Sequence, residues 1–401
     1  MAAANEAQTE KLRIVHVFRA PLGGLFRHVV DLAAEQSARG CEVGMFFNRD
    51  GNCPRVEAAL ARIPGGLKLG VGMASIQRNP GASDIVAMGQ FLAWTAKIKP
   101  HVIHGHGSKG GVYARLSRLA SPRSTAIRAY TPHGGSFNYH PGTPLHRAYM
   151  FAEKLMAPLT DVFLFESAFI AGCFDAYVGA RSGARRVVAN GISPAEFVPV
   201  APKPDAADLL YVGELRAAKG IDTLLDALAL VGRSRGAVPR AVLVGSGPDE
   251  ALLTERAERL GVGAQVSFPG PMPIREAFKL GRILVVPSRA ESMPYVVLEA
   301  AGARVPMLAT DVGGIPEIYG PFRHRLGPCD DPESLRRRIE VALDASAGRL
   351  QHDAADLARY VSENFSIQTM VNSVMAGYAE AMARRRGPRL RASAATAQTH
   401  S

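Results

Sequence analysis

Residues 287–302 read PSRAESMPYVVLEAAG and follow the apolar run RILVV of 282–286. An apolar run of that length closed by a proline reads as a buried strand, and the segment after Pro294 reads as a helix. One glutamate, Glu291, therefore stands at a strand exit, and a second, Glu299, stands about a turn and a half into the next helix. Ser292 or Met293 falls at the helix N-cap and Pro294 in the first turn. The first-turn amides, about 295 to 297, then face outward as donors with a positive partial charge. Such an end suits a phosphate. Glu299 can offer two oxygens to a vicinal diol, and Glu291 can take hydroxyls of a second sugar. A ribose, a diphosphate and a sugar fit this layout.

The same strand, loop and helix order recurs along the chain. LRIVHVF is a strand, APLGG a loop, and LFRHVVDLAAEQSARG an amphipathic helix before the strand CEVGMFF. HVIHGHG, TAIRAYTPHGG, DVFLFES and RRVVANG continue the series. The Pro- and Ala-rich segment from Asn190 has little periodicity and marks a boundary. A second series follows, with DLLYVGEL, RAVLVGSGP, AQVSFPG, RILVV, VPMLATD and HRLGP as strands. DDPESLRRRIEVALDA starts a helix with Asp331 as N-cap and Pro332 at the first position. Strands alternating with helices predict an α/β fold with parallel sheets covered on both faces. The expectation is two doubly wound Rossmann-like domains, 10–195 and 196–365, facing each other across a cleft. A C-terminal helix over 366–385 returns to the first domain, and a basic disordered tail covers 386–401.

Length and composition fit soluble globular domains: 401 residues, 47% hydrophobic and 21% charged. No apolar run approaches the roughly 18 residues of a membrane span, and the N-terminal segment lacks the apolar core of a signal peptide. Four scattered cysteines have neither metal spacing nor a disulfide framework. A cytoplasmic location is expected. The net charge of +11 is uneven: residues 51–150 hold twelve Lys/Arg against two Asp/Glu. That surplus suits an anionic membrane surface or a lipid diphosphate, whereas no nucleic-acid module is present, so no nucleic-acid partner is expected.

ESMPYVVLE, with the AAGARVPMLATDVGGIPEIYG that follows, resembles the Glu-x7-Glu region of retaining glycosyltransferases of family 4, which have the two-domain GT-B fold. The resemblance runs from about Leu12 to Tyr378. It implies that Glu299 binds the ribose of a nucleotide-sugar and Glu291 a hydroxyl of the transferred sugar, with Met293, Tyr295 and Val296 along the same donor site. Ser292 and Pro294 stand where the common form has glycine, and a proline offers no N–H. YVGELRAAKG (211–220) resembles the family's phosphate-binding loop, which puts Gly213 and Lys219 at the donor. Glu214 takes the usual arginine position, and Arg216 is expected to share the diphosphate with Lys219. RAPLGG resembles the N-terminal glycine loop, so Gly23 and Gly24 are expected near the diphosphate. Gly245 in VGSGPDE and Gly270 in FPGPMP resemble loops around the nucleotide base.

HVIHGHGSKGG sets His104 and His106 two residues apart at a strand end. No third ligand is evident nearby, so no metal and no cofactor are expected. By the resemblance His106 contacts the transferred sugar, while His104 packs deeper. Lys109, His133 and Tyr130 are candidates for the acceptor side. No Asp-x-Asp occurs anywhere in the chain, so the diphosphate leaving group is expected to rely on Lys219, Arg216 and the helix end. The implied reaction moves a sugar from a nucleotide diphosphate, UDP first and GDP-mannose next, to a saccharide or a polyprenyl-linked saccharide, as in exopolysaccharide assembly. A sugar-nucleotide epimerase, a phosphorylase, or a basic binding protein of the same fold are the alternatives.

Overall fold

A computed structural model describes residues 11–179 and 183–398, with side chains up to Arg385. The chain forms two compact units. The first runs through Glu166, resumes over Ile170–Val188 and takes the chain back from Met370; the second holds Ser167–Phe169 and Ala189–Thr369.

The first unit contains β1 (Arg13–Val17), β2 (Glu42–Asn48), β3 (Gly70–Ala74), β4 (Val102–His106), β5 (Ile127–Thr131), β6 (Val162–Phe165) and β7 (Ala184–Val187). They form one parallel sheet in the order β3-β2-β1-β4-β5-β6-β7. Helices such as Gly23–Ala38 and Gly107–Ala120 make the crossovers. Ile14, Val15, Val17 and Val102 are fully buried, as a sheet covered on both faces requires. The strand order reverses between β1 and β4, and ligands bind beyond the carboxyl ends of such a pair. The loop after β1 is RAPLGG, and β4 ends on His106.

The second unit has β8 (Ala207–Val212), β9 (Ala241–Val244), β10 (Val266–Ser267), β11 (Gly281–Val286) and β12 (Met307–Ala309). These are parallel in the order β10-β9-β8-β11-β12. Here the order reverses between β8 and β11. Those are the strands that deliver GELRAAKG and PSRAESMP.

Local readings were corrected at three points. HRLGP is not a strand: Gly320–Arg325 is a 3-10 turn, and only Gly327 bridges to Thr310. The Gly327 amide donates to the Ala309 carbonyl at 3.0 Å and its carbonyl accepts from the Asp311 amide at 2.7 Å, but the 3-10 turn before it and Pro328 after it, which has no N–H, keep the pairing to that one bridge. AQVSFPG shrinks to the two residues of β10, because Pro269 stops the ladder. Pro294 is the N-cap of the helix Tyr295–Gly302 rather than part of its first turn, with an extended ψ of 123°. Asp331 caps its helix as expected, accepting from the Ser334 amide at 2.8 Å.

The last helix spans Ile367–Gln398. Met370, Val371, Val374, Tyr378 and Ala381 form its buried stripe. The segment 386–401, read as a basic disordered tail, has side chains that lie outside the described residues.

Candidate functional site

In the second unit the strand exits at the switch point carry the candidate donor residues. Gly213 ends β8's exit, and the chain turns through the 3-10 helix Ala217–Lys219. β11 leads to Ser288 and Glu291. Lys219 Nζ donates to Glu291 Oε1 at 2.5 Å, and Ser288 Oγ donates to the same oxygen at 2.8 Å. The pair is largely shielded, with side chains 17% and 9% exposed. Two residues from separate motifs thus meet at one atom.

Arg289 holds the two loops together. Its backbone N–H donates to the Ala218 carbonyl at 2.9 Å, and its guanidinium donates to the Ala217 carbonyl, to both Asp222 oxygens at 2.8 Å and to Asp330. Burial opposes ionisation of Asp222, yet the Arg289 hydrogen bonds and charge outweigh it and keep that carboxyl below its usual range. A bidentate arginine is a rigid clamp, so Arg289 fixes the turn that carries Lys219. Gly313 backs the other side: with φ of +58°, a Cβ there would lie 1.7 Å from the Glu291 carbonyl. Only glycine tolerates that backbone and that approach.

Glu299 lies in the helix Tyr295–Gly302 and is 9% exposed, like Glu291. Met293 and Tyr295 pack their side chains into the apolar core. The Met293 carbonyl is taken by Asn190 Nδ2 at 2.7 Å. Val296 is only partly buried and packs on the same core. Gly245 has a packing reason of its own, since a Cβ there would lie 1.8 Å from the Gly213 carbonyl. Its amide donates to the Gly270 carbonyl at 3.2 Å, so Gly213, Gly245 and Gly270 are knitted together. Arg216 is half exposed and paired with Glu214 at 3.0 Å. The pair is made through Nε, so the Nη donors of the guanidinium stay available. Tyr211, pushed up by burial and then by Glu291 and Glu214, stays a neutral phenol and donates to the Glu214 carbonyl at 2.9 Å.

In the first unit Gly23 opens its helix at φ of +65°, followed by Gly24, with no side-chain cap from Leu22. His106 and His133 do come together, with His106 Nδ1 and His133 Nε2 3.0 Å apart. They belong to a largely buried cluster of five histidines, of which sequence reading missed His16 and His28. His16 Nδ1 lies 2.9 Å from His106 Nε2, and His16 Nε2 lies 2.8 Å from Gln36 Oε1. His104 bonds Tyr378 at 2.7 Å and Thr131 at 2.9 Å, deep in the sheet as expected. His28 packs edge-on against His133, with ring centroids 4.7 Å apart. Burial drives His104, His106 and His133 well below the usual imidazole range, with His16 at about 4. The rings are neutral at pH 7.

The structure adds a third ring that the sequence does not make evident beside His104 and His106. His16, His104 and His106, and likewise His28, His106 and His133, bring ring nitrogens within 4.8 Å of one another. The third member comes from another strand or helix in each case. His16 could be found only from the pairing of β1 with β4, which sets His16 beside His104.

Two acceptor-side candidates are engaged elsewhere. Tyr130 is fully buried and its hydroxyl donates to Glu153 at 3.1 Å, while Lys109 donates to Asp84 at 2.6 Å. Both look solvent-facing in a strand-exit motif, but each has a carboxylate supplied from a distant helix.

Two family models match the chain in tandem: "Glycosyltransferase Family 4" over residues 22–196 and "Glycosyl transferases group 1" over 194–360. The chain belongs to the family 4 glycosyltransferases. This glycosyltransferase is 33% identical over 214 residues to the D-inositol 3-phosphate glycosyltransferase of Rhodococcus erythropolis, covering 51% of this chain and 45% of that one. It is 29% identical over 260 residues to a Bacillus subtilis protein named as glycosyltransferase EpsD, covering 60% and 66%. Across the first curated relatives it matches, the chain spans from 33% to 66% of their length. Among solved structures, Anabaena HepE in complex with UDP and glucose shares the fold, with a TM-score of 0.73, 16% identity, and 91% and 98% of the two chains covered.

Proposed function

We propose that the protein is a retaining transferase that moves a hexosyl group from a nucleoside-diphosphate sugar to a saccharide or lipid-linked saccharide. UDP is the favoured nucleotide, with GDP-mannose the second choice. The observation that carries this reading is the Lys219–Glu291 pair at the switch point of the second sheet, with Glu299 in the adjoining helix. A nearly buried cation held by one carboxylate is ready to exchange that partner for a diphosphate. Glu291 is then released toward a sugar hydroxyl. Cleaving the glycosyl bond loads negative charge on the leaving diphosphate and oxocarbenium character on the sugar. Lys219 meets the first charge directly, and the N-terminus of the helix Tyr295–Gly302 adds a positive partial charge without proton transfer. In this reading no metal is needed for the leaving group. Retention is part of the proposal, carried over from the family likeness, through front-face attack with the leaving phosphate accepting the acceptor's proton.

A thermal-shift screen of UDP-, GDP- and ADP-sugars tests the donor. One nucleotide class should stabilise the protein, by about 2.7 kcal/mol at a hundred times Kd, and Glu299→Ala should abolish the shift. Stabilisation by none of them sinks the reading. Turnover of the donor without acceptor, or dependence on inorganic phosphate, would favour an epimerase or a phosphorylase instead.

The acceptor reading includes peripheral binding to an anionic membrane. The helix Pro144–Met156 buries His146, Met150 and Glu153 and turns Leu145, Phe151 and Leu155 outward, at 51%, 63% and 63% exposure. Arg147 and Lys154 are exposed beside them, and the helix's only acid, Glu153, is buried. An apolar stripe with solely cationic flanks, at the C-terminal edge of the basic segment 51–150, suits anionic headgroups over acyl chains. None of the described helices is long and apolar enough to cross a membrane. Co-sedimentation should show binding to phosphatidylglycerol vesicles and little to phosphatidylcholine. Replacing Leu145, Phe151 and Leu155 together by serine should weaken it at least tenfold. Equal binding by that variant, or none by the wild type at low salt, would remove the membrane from the proposal.

A further inference from the structure

The histidine network of the first unit has one direction, and Gln36 sets it. A neutral imidazole has one N–H donor and one bare acceptor nitrogen. The Gln36 amide nitrogen faces Met375 Sδ at 3.9 Å, which leaves its carbonyl oxygen on His16 Nε2 at 2.8 Å. A carbonyl oxygen only accepts, so His16 carries its proton on Nε2 and its Nδ1 is bare. His106 Nε2, 2.9 Å from that bare nitrogen, must then donate, which leaves His106 Nδ1 as an acceptor. His133 Nε2, 3.0 Å away, donates in turn. The order ends at His133 Nδ1, which has no hydrogen-bond partner among the described residues. His133 itself has a left-handed backbone at φ of +52°, two residues beyond the end of β5.

We infer that Gln36 is a positioning residue that fixes the proton order of the chain His133, His106 and His16, so that His133 presents an unprotonated Nδ1 to a ligand hydroxyl. That His106 has both ring nitrogens engaged makes His133, rather than His106, the ring able to bond a hydroxyl without breaking the chain. The opposite order would leave Nδ1–H on His133, a donor in place of an acceptor. Reaching that order requires the Gln36 amide to turn and put its oxygen against the Met375 sulfur, a thioether with no hydrogen to donate. The ligand hydroxyl rests on the transferase reading; the proton order does not. The group acts as a hydrogen-bond acceptor, since burial disfavours a charged ring anywhere along the chain.

The test is nitrogen NMR on protein labelled in the imidazole rings, at pH 7. Wild type should show the neutral Nε2–H tautomer for His16, His106 and His133. Gln36→Leu removes the fixed acceptor and should produce mixed tautomers that reach His133. Gln36→Glu restores an acceptor and should keep the Nε2–H order at His16, which a purely packing role would not predict. Met375→Leu removes the acceptor that orients the Gln36 amide and should admit a smaller share of Nδ1–H tautomers than Gln36→Leu does. An Nδ1–H tautomer at any of the three rings in wild type, or unchanged order in Gln36→Leu, overturns the inference. So does a change of the wild-type spectrum on adding EDTA, which would place a metal on these rings. If Gln36→Leu does not fold, the wild-type and Gln36→Glu spectra still decide. Loss of UDP-sugar stabilisation with the tautomers intact would count against the transferase reading alone.

Discussion

Lys219→Ala should lower kcat by about a hundredfold to a thousandfold, the loss usual when one preorganised donor to a developing anion is removed. The effect should fall mainly on kcat. The lysine meets its full partner only when the diphosphate leaves, so donor affinity in a thermal-shift titration should change much less. The structure adds a second consequence. Glu291 is 9% exposed and would keep only Ser288 Oγ on the oxygen that Lys219 now bonds. A buried carboxylate stripped of its cation destabilises the fold, so Lys219→Ala should also lower the melting temperature of the ligand-free protein. Lys219→Met with Glu291→Gln separates the two effects: stability should recover while activity stays low. A single variant with full kcat would remove Lys219 from the chemistry.

Arg115→Ala should cost about 3–5 kcal/mol of the first unit's stability, the range for breaking a buried ion pair on one side. Arg115 and Glu153 are 0% and 3% exposed, with Nη1 and Oε2 2.6 Å apart. Tyr130 and Ser136 donate to the other Glu153 oxygen at 3.1 and 3.3 Å, and the guanidinium lies 4.0 Å over the Tyr130 ring. Removing the arginine leaves the carboxylate with two hydroxyls and no cation. Arg115→Leu with Glu153→Leu should recover most of the loss, because a buried pair replaced by apolar groups is often neutral. Urea unfolding followed by circular dichroism measures both. A cost below about 1 kcal/mol for Arg115→Ala would mean that water or relaxation satisfies Glu153.

The architecture was legible because strand and helix alternate with clear turn signals, and the two sheets take up those strands in parallel. The glutamates of PSRAESMPYVVLEAAG were legible for the same reason, as they stand at a strand exit and inside a helix. Their surroundings were not. Nothing local to RAAKG announces that Lys219 bonds Glu291, and Arg289 looks like an ordinary loop arginine until its five acceptors are assembled. Lys109 and Tyr130 misled in the opposite sense: each sits at an apparent ligand edge and is claimed by an acid distant in sequence. His16 and His28 carried no signal at all. His16 emerges only when β1 is laid beside β4, and His28 only when the helix Gly23–Ala38 brings its ring against His133.

The final helix has a consequence for how the protein is made. The first unit's strands are complete by Val188, yet the segment that bonds His104 through Tyr378 and buries Met370, Val371 and Val374 begins 182 residues later. At about 5–20 residues per second, translation takes on the order of 9–36 s to deliver it. During that interval the second unit can fold on the emerging chain while the first holds an open apolar seam. Biogenesis therefore runs out of order: the domain synthesised first is finished last, and the seam is the natural target for a chaperone at the ribosome exit.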